Sequence, residues 1–104
     1  MGGDCLNFGC VPSKALIRSA KLAKQLREAE TLGLRGVTGT VDFAAVMDRV
    51  QRVIRTIEPH DSVERYSALG ADVVHGQARI TSPWSVEITS ADGTRTLTDR
   101  KSVV

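Results

Sequence analysis

The sequence predicts a mixed α/β chain, α+β when its 104 residues are taken as an isolated piece, with a helical pair followed by short strands and a β-hairpin. Apolar residues recur at helical spacing in two segments, residues 12–30 and 42–57. From Ala71 onward the apolar periodicity changes to two, which is typical of strands. The turn sequence Asp92-Gly93 separates the last two runs and favours a hairpin.

The first helix is predicted from Pro12 to about Glu30. Pro12 suits a first helical turn, because the N–H that proline lacks has no partner there. The apolar positions with helical spacing are Leu16, Ala20, Ala23 and Leu26. The basic residues between them indicate a solvated helix surface rather than a binding face. Gly33 provides the stop, and Leu34 to Thr40 is predicted to be a loop.

The second helix has the clearest apolar stripe of the sequence. Asp42 is predicted to cap its N-terminus. The stripe consists of Phe43, Val46, Met47, Val50, Val53, Ile54 and Ile57. Core packing is the favoured interpretation, although such a stripe can also bind a partner helix.

A short third helix is predicted from Asp61 to Leu69, with a stop at Gly70. His60, beside Pro59 at the start of this helix, is predicted to have a capping or surface role rather than a catalytic one.

The remainder of the chain is predicted to form strands. Their central residues are 73–75, 78–80, 86–89 and 96–98, with a turn at Ser82-Pro83. Trp84 is interpreted as a packing residue at a strand edge.

Composition excludes several classes of function. A net charge of +2, with dispersed basic residues, argues against nucleic acid as a partner. No apolar run reaches the length of a membrane span, and nothing resembles a secretory signal. Two cysteines without a signal indicate a reducing, cytoplasmic setting, in which a disulfide is catalytic. Zinc would need more ligands than the distant His60 and His75 offer, so no metal site is predicted.

Both cysteines lie in one stretch, Gly2-Gly3-Asp4-Cys5-Leu6-Asn7-Phe8-Gly9-Cys10-Val11-Pro12-Ser13-Lys14. In a regular helix, residues five apart point about 140° from each other. A bond between Cys5 and Cys10 therefore needs a distorted turn, which Gly9 allows. Helix N-termini favour the reactive thiolate. The stretch is interpreted as a redox-active cysteine pair.

This stretch resembles the active-site segment of the class I, FAD-dependent pyridine nucleotide–disulfide oxidoreductases, which include glutathione reductase, dihydrolipoamide dehydrogenase and mercuric reductase. The family pattern is Gly-Gly-Thr-Cys, four residues, Cys, one residue, Pro, Ser and Lys. Only Asp4, at the threonine position, departs from it, so that a carboxylate replaces a hydroxyl that helps to bind FAD in the family. Together with residues 58–66, Asp4 looks most like the mercuric reductase-like branch, with dihydrolipoamide dehydrogenase also similar.

The resemblance implies an electron path from NAD(P)H through FAD to the disulfide, and on to a small-molecule disulfide or metal-ion substrate. Cys5 matches the cysteine that exchanges with substrate. Cys10 matches the one that lies against the flavin and forms a charge-transfer thiolate. Lys14 matches the residue that approaches flavin N5, where its charge favours the reduced, anionic ring.

Four small residues match further FAD contacts of the family. Gly2 and Gly3 are expected to let the backbone lie close to FAD. Gly76 and Ala78 match a Gly-x-Ala pattern that approaches the adenine at the end of a strand. Their alternative interpretation is a plain connection between strands.

The resemblance also implies that residues 1–104 form part of a Rossmann-like FAD-binding domain. The Gly-x-Gly-x-x-Gly unit, the NAD(P) domain and the dimerisation domain with its His-Glu pair are absent from the sequence. The full-length protein is expected to be a homodimer. The isolated piece is expected to be inactive as an enzyme, because it should neither hold FAD tightly nor oxidise NADPH. Residues 99–104 resemble an interrupted strand. Two alternatives remain open: a flavin-independent redox-sensing thiol module, and a helix-mediated interaction domain.

Overall fold

The protein has a helical unit, residues 1–71, and a β-sheet unit, residues 72–104. A computed structural model describes residues 3–99. Helices followed by a three-stranded antiparallel sheet confirm the predicted mixed α/β class. None of the helices within residues 3–99 has the length and apolarity needed to cross a membrane.

The helical unit begins with two helices separated by a short break. Helix α1 spans Gly3–Asn7 and α2 spans Cys10–Glu28, so α2 starts two residues before the predicted Pro12. A 3₁₀ turn, Ala29–Leu32, extends α2. The predicted stop at Gly33 is confirmed: its φ of +84° is left-handed, a conformation that glycine adopts without steric cost.

Helix α3, Phe43–Ile57, contributes two of the four buried residues of the core cluster of this unit. The predicted cap is confirmed, because the carboxylate of Asp42 accepts a hydrogen bond from the Ala45 N–H at 3.0 Å. Val50 and Ile54 are buried in a cluster with residues of α1 and α2. The C-terminal half of the stripe therefore packs as core, as predicted.

The N-terminal half of the stripe is less buried: Val46 is half-buried, and Phe43 and Met47 are exposed. The Phe43 side chain is 66% exposed, and together with α2 and residues 37–42 it lines a groove of about 910 Å³. Arg49, near the middle of α3, bonds to Ala15 near the start of α2, while Leu26 near the end of α2 lies beside Gly39, before α3. Helices α2 and α3 are therefore antiparallel.

A 3₁₀ turn, Glu58–Asp61, leads to a short helix α4, Val63–Ala68. Helix α4 starts later than the predicted Asp61, because the Ser62 hydroxyl accepts the bond from the Arg65 N–H at 3.2 Å and so acts as the cap. Gly70 follows the helix with a φ of +93°. His60 is exposed, and its backbone carbonyl accepts a hydrogen bond from the Arg65 side chain.

The sheet unit contains strands β1 (Gln77–Ser82), β2 (Ser85–Ser90) and β3 (Gly93–Thr98) in the order β1-β2-β3. Both pairs are antiparallel. The predicted hairpin forms, with Ser90 paired to Gly93, whose φ is +120°. Ile88 is the buried residue of the central strand.

Two predictions in this unit are wrong. Residues 73–75 form no strand, because within residues 3–99 they have no pairing partner, and β1 starts only after Gly76. Trp84 lies in the β1–β2 turn rather than at a strand edge, and its carbonyl accepts a bond from the Asp99 N–H at 2.8 Å. The strand expected at residues 99–104 lies mainly outside the described residues.

Candidate redox site

The break between α1 and α2 is at Phe8–Gly9, which we call the interhelix joint. The Phe8 N–H donates to the Asp4 carbonyl at 2.9 Å and closes α1. The Gly9 carbonyl then accepts from the Ser13 N–H at 3.1 Å and begins α2. Cys5 and Cys10 therefore belong to two different helices, and the fixed direction of residues five apart in one helix does not apply to them.

Gly9 is required by close packing at the joint. A Cβ at this position would lie 2.8 Å from the Asp4 carbonyl oxygen and 3.2 Å from the Cys5 Cα. Both are backbone atoms, so they cannot rotate away as the end of a side chain can. Any side chain at residue 9 must therefore push α1, and Cys5 with it, away from the start of α2.

Leu6 fixes α1 on the other two helices. Its side chain is 1% exposed and packs with Ala15, Val50 and Ile54. Its neighbours on α1, including Cys5, are exposed. One buried leucine thus anchors a helix of a single turn whose remaining side chains face solvent.

The two cysteines are exposed free thiols that interact with each other. The pKa of the Cys5 thiol is raised, chiefly by a hydrogen bond to the side chain of Cys10 and further by desolvation and the charge of Cys10. The Asp61 carboxylate acts in the same direction. This direction of the Cys5 pKa is opposite to the one that a helix N-terminus favours, because the interaction with Cys10 stabilises the protonated thiol.

Both sulfur-bearing residues line a shallow cavity of about 440 Å³, which we call the thiol cavity. Its wall is part apolar and part cationic. The lining residues are Cys5, Cys10, Val11, Lys14, Ala15, Arg18, Arg49, Val53 and Ile57.

Three cationic side chains belong to this wall. Lys14 and Arg18 are one turn apart on α2 and so share a face. Arg49 extends from α3, where its Nη1 donates to the Ala15 carbonyl at 2.9 Å. Within residues 3–99, none of the three lies within 4.0 Å of a carboxylate oxygen.

Arg18 and Arg49 were not among the predicted site residues. Spacing could have found Arg18, since it follows Lys14 by four residues. Arg49 lies within the apolar stripe of α3, three residues after Val46 and four before Val53, so a charge at this position was itself a signal. The sequence could not show that both arginines line one cavity with the cysteines, because this depends on how α3 packs against α2.

The residues predicted to contact FAD are divided between the two units. Lys14 lies at the thiol cavity with both cysteines. Gly3 has a φ of +52°, and a Cβ there would meet nothing within 4 Å, so its surroundings are open. Gly2 lies outside the described residues. Gly76 and Ala78 belong to the sheet unit.

Gly76 has a role in the sheet itself. A Cβ there would lie 2.6 Å from the Ile88 Cγ2 and 2.8 Å from the Thr89 carbonyl oxygen. Packing against β2 thus accounts for glycine without a ligand. Ala78 is exposed and pairs with Ile88. Among residues 3–99 no cluster of His, Cys, Asp and Glu suits a metal ion.

Curated proteins similar to this chain are dehydrogenases and reductases by name. Dihydrolipoyl dehydrogenase of Geobacillus stearothermophilus is 30% identical over 105 residues, covering the whole chain and 22% of that protein. The Bacillus subtilis dihydrolipoyl dehydrogenase is 37% identical over 84 residues, 80% of the chain and 17% of that protein. Mercuric reductase of Lysinibacillus sphaericus is 26% identical over 91 residues, 88% of the chain and 17% of that protein. No family profile matches the chain. The chain thus spans about a fifth of the length of these relatives.

Proposed function

The chain belongs to the class I pyridine nucleotide–disulfide oxidoreductase family, and from that premise we propose that Cys5 and Cys10 form the redox-active dithiol of an FAD-dependent NAD(P)H:disulfide oxidoreductase. The substrate is a small-molecule disulfide or a metal ion. We further propose a cytoplasmic protein that is a homodimer at full length.

One observation supports this proposal above the others: the interhelix joint places Cys5 and Cys10, both exposed free thiols, at one cavity, where Cys10 is the main influence on the pKa of Cys5. A structural disulfide needs no access to solvent, whereas a dithiol that exchanges with a substrate must be reached by it.

The thiols perform the exchange in two steps. The Cys5 thiolate attacks one sulfur of the substrate disulfide, a mixed disulfide forms, and the first substrate thiolate leaves and takes up a proton. The Cys10 thiolate then attacks the Cys5 sulfur and releases the second thiol. Two thiols of the chain are oxidised to one disulfide while one substrate disulfide is reduced to two thiols, and the reverse sequence oxidises a dithiol substrate.

The cysteine pair and Lys14 are chemically suited to contact with a flavin ring, which accepts electrons and gains negative charge. FAD, when bound, supplies the two-electron transfer between NAD(P)H and the dithiol. The Lys14 ammonium, at the same cavity as both sulfurs, would stabilise an adjacent anion. Open surroundings at Gly3 and the exposed surface of Ala78 are compatible with cofactor contact, whereas Gly76 carries less weight because the sheet alone requires it.

The first test follows the fate of the two thiols by intact-mass spectrometry. The reduced chain is treated with hydroxyethyl disulfide, and we expect it to lose two hydrogen atoms and to retain no adduct. Cys10→Ser should stop at a stable mixed disulfide on Cys5, because the resolving thiol is missing. Wild-type protein that accumulates stable adducts on both cysteines, without an internal disulfide, would contradict the proposal.

A further inference from the structure

The cationic wall of the thiol cavity has no use in the exchange steps described above. We infer that Arg18 and Arg49, together with Lys14, select disulfides that carry carboxylates, an inference that rests on the proposed dithiol function. It deepens that function by naming the charge class of the substrate.

The cations approach the cavity from two helices. Lys14 and Arg18 line one face of α2, and Arg49 reaches the same cavity from α3. The hydrogen bond from Nη1 of Arg49 to the Ala15 carbonyl restricts this side chain. A guanidinium has five N–H donors, so one such bond leaves others free for a carboxylate.

Nothing acidic lines the cavity itself, and no carboxylate within residues 3–99 pairs with these three cations. Three unpaired positive charges near two exposed thiols therefore attract an anionic disulfide and repel a cationic one. The one carboxylate that affects Cys5 is Asp61, which lies outside the cavity wall. We accordingly place the carboxylate of the substrate on the arginine side.

The reaction with such a substrate balances without a further reagent. A dicarboxylate disulfide takes two electrons and two protons from Cys5 and Cys10, its S–S bond breaks, and two carboxylate-bearing thiols leave as the internal disulfide forms. The carboxylates stay ionised throughout, so their attraction to Arg18 and Arg49 acts on binding and orientation.

A phosphate-bearing cofactor is a second source of negative charge for the same cations. The two roles can be told apart by experiment. If the cations bind FAD phosphates, added FAD occupies them. If they select the substrate, exchange rates depend on the charge of the disulfide even in the absence of FAD.

The test measures exchange rates of the reduced 104-residue chain with three disulfides: dithiodipropionate (a dianion), hydroxyethyl disulfide (neutral) and cystamine (a dication). Each disulfide is compared only with itself between variants, because leaving-group reactivity differs among them. Arg18→Gln is the main variant, since Arg18 is exposed. Lys21→Gln removes the same charge from α2 away from the cavity and is the matched control.

We expect Arg18→Gln to slow the reaction with the dianionic disulfide by about two- to sixfold, the factor for unit charges about 4–8 Å apart in water. It should leave the exchange rate of the neutral disulfide unchanged and raise that of the dicationic disulfide. Arg49→Gln should act in the same direction, and Arg49→Lys, which keeps the charge, should largely restore the rate. About 1 M salt should remove the selectivity of the wild type. Circular dichroism verifies that each variant is folded.

The outcomes separate this inference from the proposed function. If all three substrates form the internal disulfide, and neither Arg18→Gln nor Arg49→Gln changes the rates, only the charge selection is overturned. No internal disulfide with any substrate would overturn the dithiol function. FAD binding is measured by equilibrium dialysis. If both variants weaken FAD binding while their rates with the dianionic disulfide stay constant, the cations bind the cofactor, and the inference is overturned.

Discussion

Gly9→Ala is the substitution that most directly tests the geometry of the cysteine pair. The new Cβ would stand 2.8 Å from the Asp4 carbonyl oxygen and 3.2 Å from the Cys5 Cα, and neither atom can yield without movement of α1. Overpacking of this kind costs about 1–3 kcal/mol. If the strain is relieved by separating the two helix ends, the same energy opposes disulfide formation, which corresponds to about a 5- to 150-fold lower equilibrium constant for closing the bond.

Gly39→Ala is the matched control. Its Cβ would lie 2.9 Å from the Leu26 Cδ1, the end of a flexible side chain that can turn away. A glycine-to-alanine change in a loop also reduces the entropy of the unfolded chain, so this variant should lose little stability or gain some.

Two assays follow the Gly9→Ala protein: urea denaturation for the free energy of unfolding, and thiol–disulfide equilibrium in glutathione buffers for closure of the Cys5–Cys10 bond. We expect losses in both, and neither loss in Gly39→Ala. A Gly9→Ala protein as stable as the wild type, with unchanged disulfide equilibrium, would refute the role of the interhelix joint.

Three further outcomes follow from the structure. Because Cys5 keeps its proton to a higher pH when folded than when unfolded, its contribution to the free energy of unfolding should be fully present below the ordinary cysteine pKa, about 8.5, and be lost as pH rises through the raised pKa. Cys10→Ala should weaken this fall. Leu6→Ala should lower the free energy of unfolding by about 2–5 kcal/mol, since this side chain is fully buried. Asp42→Ala should lower it by about 1 kcal/mol through loss of the cap of α3.

Each of these measurements has a control in the same chain. For the pH series, a Cys5→Ala variant that retains the whole decline would assign it to other groups. Phe8→Ala removes a large side chain that is 85% exposed, and a loss as large as that of Leu6→Ala would contradict the assigned burial. Asp48→Ala changes an exposed aspartate inside α3, and equal losses for Asp42→Ala and Asp48→Ala would argue against capping.

Local signals in the sequence predicted helices α2, α3 and α4 and the hairpin, but not the short helix α1. Asp42, Gly33 and Asp92-Gly93 act through atoms a few residues away, so their effect can be read from the sequence. The strand expected at residues 73–75 failed because alternation indicates only a tendency, and a strand also needs a partner in register.

The candidate site shows the same distinction. The Cys5–Cys10 stretch and Lys14 could be identified from contiguous residues. The contribution of Arg49 to the thiol cavity could not be identified in this way, since the position of Arg49 depends on how α3 packs against α2. Its bond to the Ala15 carbonyl joins residues that are 34 positions apart. The roles of Gly3, Gly76 and Ala78 toward FAD stay predictions.

The interhelix joint links sulfur chemistry to the mechanics of the chain. A Cys5–Cys10 bond would cross the joint, so it would restrain the angle between α1 and α2. Thermodynamic reciprocity then requires that whatever stiffens this angle favours the bond by the same free energy that the bond contributes to stiffening it. Contacts remote from sulfur, such as those of buried Leu6, therefore affect the equilibrium between the dithiol and a Cys5–Cys10 disulfide, and each change in the oxidation state of the cysteines changes how firmly α1 is held against α2 and α3.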